Sequence, residues 1–371
     1  MKFPPFALER YFAEHEFSAP YLLCSSDCES MPLKDLLALE PGAHEAFGEL
    51  WLGYTESLGA PTLREAIAKL YDKVAAEQVL VHTGAQEAIF NFGHAVLDVG
   101  DHVIVHTPCY QSLAEVPKTI GCRVSRWEAN PKDGWEMDVS ALRQLLTPKT
   151  RAIILNSPHN PTGYQMGSEK FAAVVAVARE ARCLLFVDEV YRGLEHDAAD
   201  RLPAACDVYE NAISLGVMSK SLGLPGLRIG WIATQNRAVF EKMAQFKDYT
   251  TICNSAPSEF LSTLALRHSQ KILTRNRELA QANLRLLDAF FTRHDEQFDW
   301  VKPKVGCIAF PRLRSGDADV FAETILRRTG VLLAPGSRFD YDRSYFRMGF
   351  GRKNFSDALG RFEDALSPTA R

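Results

Sequence analysis

Short apolar runs alternate with stretches of helical periodicity through the middle of the chain. Val79–His82 reads as a strand, Gln86–Val99 as a helix stopped by Gly100, His102–His106 as a strand, and Gln111–Ile120 as a helix stopped by Gly121. Cys122–Trp127, Ala152–Leu155, Cys183–Val187 and Ala212–Gly216 read as further strands. Ser168 opens a helix running to about Arg182, with Phe171, Val174, Val175 and Ala178 at helical spacing. These strands are continuous apolar runs rather than alternating ones, as expected for strands covered on both faces. An α/β fold with a mostly parallel sheet is expected.

Beyond about Pro257 the pattern changes. A long helical stretch spans Ser258 to about Arg293, interrupted near His268. Short strands follow at Cys307–Pro311, Val331–Ala334 and Tyr345–Gly349, and a final helix starts near Phe355. This reads as an α+β unit of its own. The first forty residues, with prolines at 4, 5, 20 and 32, read as an irregular arm that joins that unit. The expected division is an arm over 1–42, a large domain over 43–264 and a small domain over 265–371.

Composition narrows the function classes. A chain of 371 residues, 46% hydrophobic and 24% charged, is that of a folded globular protein and excludes disorder as the main state. Lys and Arg number 42 against 46 Asp and Glu, so a nucleic-acid partner is not suggested. No run of about 18 apolar residues predicts a membrane span. The opening MKFPPFALERYF does not read as a signal peptide. Eight cysteines lie scattered with no C-x-x-C, and His102 and His106 sit on a strand, so no metal site is expected. Solitary reduced thiols suit a cytoplasmic protein.

Six features carry candidate chemistry. Thr83-Gly84-Ala85-Gln86 joins a strand to a helix, either as a plain turn or as an anion site made by free N–H groups and the helix dipole. Tyr110 follows a strand end, as a core aromatic or as a ring that stacks on a planar group. The turn Asn156-Ser-Pro-His-Asn160-Pro-Thr-Gly163 fixes Asn160 with its amide free to donate. Asp188 ends a buried apolar strand, and its carboxylate needs a partner there: a pyridinium nitrogen or a nearby Arg. Lys220, between a strand end and a Gly-rich loop, is a Schiff-base candidate or a surface lysine. Gly223–Trp231 holds Arg228, which can reach back to a phosphate. Near the end, Arg347 lies in an apolar strand and calls for a carboxylate, from a ligand or from an internal ion pair.

PHNPTG at 158–163, VDEVY at 187–191 and SKSLGLPGLRIGW at 219–231, in this order, resemble the class I/II aminotransferases. These are fold-type-I pyridoxal-phosphate enzymes typified by aspartate and histidinol-phosphate aminotransferases. The resemblance covers about Tyr54 to Arg352. It implies a large domain with a mostly parallel seven-stranded sheet, a smaller α+β domain, and a homodimer with shared active sites. It also implies pyridoxal 5′-phosphate as cofactor. Lys220 would hold the cofactor covalently and move a proton between substrate and cofactor. Asp188 would pair with the ring nitrogen, Tyr191 and Asn160 with the ring's 3′ oxygen, and Tyr110 and Val190 with the ring faces. Gly84, Ala85, Gln86, Ser219 and Arg228 would bind the phosphate, and Tyr54 would reach the phosphate of the neighbouring subunit. Arg347 would clamp the substrate α-carboxylate, with Asn160 also lining the substrate site.

Three departures stand out. Val217 replaces the usual hydroxyl residue three before the lysine. The arm reads Cys24-Ser-Ser-Asp-Cys-Glu-Ser30 where the family usually has Gly-x-Pro. The stretch Lys247–Pro257 holds no Arg, so neutral, aromatic or basic amino acids are expected over aspartate and glutamate. The implied activity is transfer of an amino group from an α-amino acid to a 2-oxo acid. The alternative is another enzyme on the same scaffold, a C–S lyase or a cyclase of the capreomycidine-synthase kind, which the Tyr54-Thr-Glu-Ser57 segment resembles. A catalytically silent binding domain is disfavoured by the presence of Lys220.

Overall fold

Seven strands form the central sheet of the computed structural model, which describes residues 2–366. They are β1 (Val79–His82), β2 (His102–Thr107), β3 (Arg123–Glu128), β4 (Thr150–Asn156), β5 (Leu184–Asp188), β6 (Ala212–Val217) and β7 (Gly230–Ala233). Their spatial order is β1-β7-β6-β5-β4-β2-β3. Neighbours run parallel except at β7, which is antiparallel to both β1 and β6. The six strands expected from the apolar runs are all present. β7 is the addition: its four residues directly follow the Gly-rich loop, and the apolar pattern there is too short to stand out.

Both faces of the sheet are covered, which is why the strands are apolar throughout. On one face Ala152, Ile154 and Phe186 pack under Ala88 and Phe92 of the helix Ala85–Val96, with the Phe92 and Phe186 rings 4.5 Å apart. On the other, Ile153, Leu155, Leu185 and Val187 meet Phe171 and Val174 of the helix Ser168–Glu180. Each such large side chain contributes about 1.5–3 kcal/mol by leaving water. The helix expected over Gln86–Val99 stops at Val96, because Leu97 turns extended and buries its side chain.

In the C-terminal part the helices Ala256–Arg267 and Ser269–Arg293 meet at His268, where the break was expected. Phe346–Gly349 is flanked antiparallel by Ile308–Ala309 and Ala334–Pro335. The final helix is Phe355–Leu366. The arm needs correcting: Ala7–His15 is a helix. Its prolines drew attention from Leu8, Tyr11 and Phe12, which stand at helical spacing. Tyr21–Leu22 pairs in parallel with Val331–Leu332, and the Tyr11 hydroxyl donates to the Leu333 carbonyl at 2.9 Å. Among the described residues no helix is long and apolar enough to cross a membrane.

Candidate active site

The C-terminal ends of β2, β4, β5 and β6 deliver their following residues to one edge of the sheet, the place where open α/β sheets bind ligands. Tyr110 follows β2, Asn160 follows β4, Asp188 ends β5 and Lys220 follows β6. Strand register sets Asn156 beside Asp188. The Asn156 side-chain amide and the Ser157 N–H both donate to the Asp188 main-chain carbonyl, at 2.9 and 3.0 Å. Asn156 Oδ1 accepts from the Asn160 N–H at 2.6 Å. His159 Nε2 donates to the Pro108 carbonyl at 2.7 Å, and burial lowers its pKa to about 4, so the ring stays neutral. The extra polar residues of this turn therefore fasten it to β2 and β5.

Asp188 is only 5% exposed and forms no ion pair among the described residues. It accepts from the Val190 N–H at 3.2 Å. Burial pushes its carboxyl up to about 7, against the pull of that N–H and of the Lys220 charge. A buried carboxylate with no guanidinium beside it fits a protonated ring nitrogen and not the internal salt bridge that was the alternative.

Lys220 is partly buried, not a surface lysine, and its Nζ donates to Ser26 Oγ at 2.8 Å. Burial lowers its proton affinity, and the Asp27 charge opposes this. Tyr191, 1% exposed, donates its hydroxyl to the Ser26 carbonyl at 2.9 Å. Tyr110 donates to Glu9 Oε1 at 2.7 Å, with its ring 4.9 Å from that of Phe6.

Arg347 is 1% exposed. Its Nε and Nη2 donate to the Cys24 carbonyl at 3.2 and 2.9 Å, and its Nη1 to Asn160 Oδ1 at 3.1 Å. The Phe339 ring lies 5.1 Å away. No acid pairs with it among the described residues, so the internal ion pair is absent. A guanidinium has five N–H bonds; the two left over here sit one on each terminal nitrogen, the spacing a carboxylate matches. With Oδ1 taken, the Asn160 amide keeps its N–H groups free.

At the phosphate-binding candidates, Gly84 has φ +85°, and a Cβ there would come within 2.7 Å of Arg228 Nη2. Only glycine lets that guanidinium lie against the turn. Ala85 opens a helix of 12 residues whose first N–H groups are unpaired within the helix. Ser219 is buried, while the Gln86 side chain and Arg228 are exposed. Val217 is an apolar residue 4% exposed in β6, so this position offers no hydroxyl. Tyr54 is 95% exposed and touches almost nothing of its own chain; it lines a pocket of about 360 Å³ with Cys253–Pro257.

Three partners were not legible beforehand: Ser26, the Cys24 carbonyl and Glu9. Two of them lie in the arm segment that departs from the usual Gly-x-Pro, so the departure itself was the signal. Glu9 lies on the overlooked arm helix.

A model of the family described as "Aminotransferase class I and II" matches residues 21–357. Capreomycidine synthase of Streptomyces vinaceus is 29% identical over 99% of this chain and 95% of its own length. Aspartate aminotransferase of Thermotoga maritima is 29% identical over 88% of this chain and 86% of its own. The crystal structure of a PLP-dependent aminotransferase from Streptococcus suis superposes with a TM-score of 0.93 at 32% identity, covering 99% of this chain and 98% of that one. The fold-type-I architecture and the pyridoxal-phosphate cofactor thus hold, and the chain belongs to the class I and II aminotransferase family.

Proposed function

We propose that this chain transfers the amino group of an α-amino acid with a free α-carboxylate to a 2-oxo acid. The observation that carries the reading is Arg347: a buried guanidinium with no acid partner among the described residues and two spare N–H bonds, held on Asn160, which Asn156 in turn links to Asp188. A substrate carboxylate completes it.

When bound, pyridoxal phosphate supplies a conjugated ring that takes up the electron pair of a bond broken at the substrate carbon. The residues of this chain supply the rest. Asp188, a buried carboxylate with no protein cation paired to it among the described residues, would hold the ring nitrogen. Gly84, Ala85, Gln86, Ser219 and Arg228 would receive the phosphate at the helix start. Asn160 and Tyr191 would hold the ring oxygen, and Tyr110 would lie against the ring. Arg347 would orient the substrate carbon, and Lys220, whose amine burial inclines to the neutral form, would anchor the cofactor and accept the proton.

Capreomycidine synthase matches along nearly its whole length, and this favours cyclisation as the second reading. One experiment separates the readings: single turnover of each common amino acid with the loaded enzyme and no acceptor. Transamination releases stoichiometric 2-oxo acid and no free ammonia, whereas a lyase releases ammonia with pyruvate and a cyclase releases neither.

The proposal includes a homodimer. Trp51, Leu52, Tyr54 and Tyr249 are 86, 78, 95 and 88% exposed, which supports an apolar face awaiting a second copy. The arm over 1–42, large domain over 43–264 and small domain over 265–371 belong to the same proposal, with 367–371 outside the described residues. So does a cytoplasmic setting, supported by eight free cysteines.

A further inference from the structure

The arm segment that replaces Gly-x-Pro crosses directly over Lys220. Ser26 Oγ stands 2.8 Å from Nζ, and the Cys28 N–H faces the Lys220 carbonyl at 3.4 Å. No other hydrogen bond of the Lys220 amine exists among the described residues. Ser26 accepts that bond, and its own hydroxyl proton goes to no protein acceptor among them.

The position of Ser26 is fixed from several sides. Its carbonyl accepts from Tyr191 at 2.9 Å. The carbonyl two residues before it accepts twice from Arg347. Asp27 is held by both oxygens on Arg352 Nη2 at 2.9 Å. A hydroxyl carried on main chain so tied is a fixed acceptor rather than a wandering surface group.

We propose that Ser26 is a catalytic residue of this enzyme: its hydroxyl receives the Lys220 amine whenever that amine is not carrying the cofactor, and holds the ammonium at the reaction site. This rests on Lys220 being the reacting amine. In the proton transfer the substrate C–H bond breaks, an N–H bond forms on Nζ, and the electron pair remains with the substrate and the conjugated cofactor. Ser26 Oγ then accepts one of the three N–H bonds of the ammonium, and no further reactant is needed. An acceptor that favours the charged amine raises its proton affinity. The other groups acting on that amine are Asp27, Glu9 and Glu16 of the arm, Asp188 of β5, and Arg347 and Cys307 of the C-terminal part.

The test uses the full-length chain in two states. In the cofactor-free protein, the pH dependence of reductive methylation of Lys220 is followed by peptide mass spectrometry, with no turnover involved. In the loaded enzyme, kcat and KM are measured separately. For Ser26→Ala the methylation midpoint should fall by about half a unit or more, and kcat by roughly ten- to a hundredfold with KM nearly unchanged. Ser26→Thr, which keeps the hydroxyl, should restore both. An unchanged midpoint in Ser26→Ala overturns the proposal, whether or not kcat falls, because a merely structural serine would leave the amine's titration alone. Full turnover by Lys220→Ala would instead bring down the underlying reading of the lysine, and this proposal with it.

Discussion

Arg347 Nη1 donates to Asn160 Oδ1 at 3.1 Å, joining the last short strand of the chain to the turn after β4. The pair links the residue proposed for the substrate carboxylate to the one proposed for the cofactor ring. Arg347→Lys keeps a charge but loses the fork and at least one of the Cys24 bonds. Charge-assisted hydrogen bonds contribute about 1.5–3 kcal/mol, so kcat/KM should fall roughly ten- to a hundredfold or more. Steady-state kinetics with one amino acid and one 2-oxo acid check this, and an unchanged kcat/KM would move the carboxylate site elsewhere.

Asp188 gives the cofactor-free chain a pH dependence of defined sign. Its carboxyl titrates near pH 7 in the fold and near 3.8 in the unfolded chain. Between those values the folded protein binds a proton that the unfolded chain releases, so stability falls as pH rises from about 4 to 7 and then levels off. Asp188→Asn should remove that slope, leaving the cofactor-free variant more stable than the parent at pH 8, on the order of a few kcal/mol. Glu189, also raised to about 7, keeps its own share of the slope. Denaturant titrations at pH 5 and 8 read the difference. The same variant should lose roughly a thousandfold or more in kcat once loaded.

The exposed Tyr54 gives a test of shared sites. Tyr54→Phe and Lys220→Ala are each expected to be weak or dead alone. Mixed in equal amounts and refolded together, they should regain about a quarter of the parental sites, because half of the dimers are hybrids with one intact site each. Failure of the mixture to exceed the sum of its parts would show that each subunit works alone.

Lys247 was the nearest cation available for a second substrate carboxylate. The structure withdraws it: its Nζ donates to the Ser57 and Ile252 carbonyls at 2.8 and 2.9 Å, and the side chain is 1% exposed. Arg338 is likewise engaged, paired with Asp319 at 3.2 Å. Neutral, aromatic or basic donors should therefore exceed aspartate in kcat/KM by roughly a hundredfold, since an unpaired desolvated carboxylate is costly. Aspartate as the best donor in a panel would contradict this.

How far the sequence reached depends on what each residue answers to. β1 to β6 were legible because burial on both faces leaves an unbroken apolar run, as in Ala152–Leu155. Asp188 and Lys220 were legible because a charge at the end of such a run has no cheap explanation. β7 was not, since Gly230 serves a close approach rather than a strand pattern: a Cβ there would fall 2.6 Å from the Gly84 carbonyl carbon. Ser26 and Glu9 were not, because their contacts reach across about 194 and 101 residues; only the departure from Gly-x-Pro around Ser26 pointed to one of them.

The bond between Arg347 and the Cys24 carbonyl spans 323 residues. On the ribosome, Cys24 emerges early and its partner emerges near the end. At about 5–20 residues per second, the arm spends roughly tens of seconds without the groups that seat it. The strands of the central sheet can pair in that interval, but the carboxylate site proposed at Arg347 cannot be assembled. On the proposed reading, a truncated chain lacking the last strand would carry Lys220 without the guanidinium that aligns an amino acid, and the order of synthesis would delay substrate capture until the polypeptide is nearly complete.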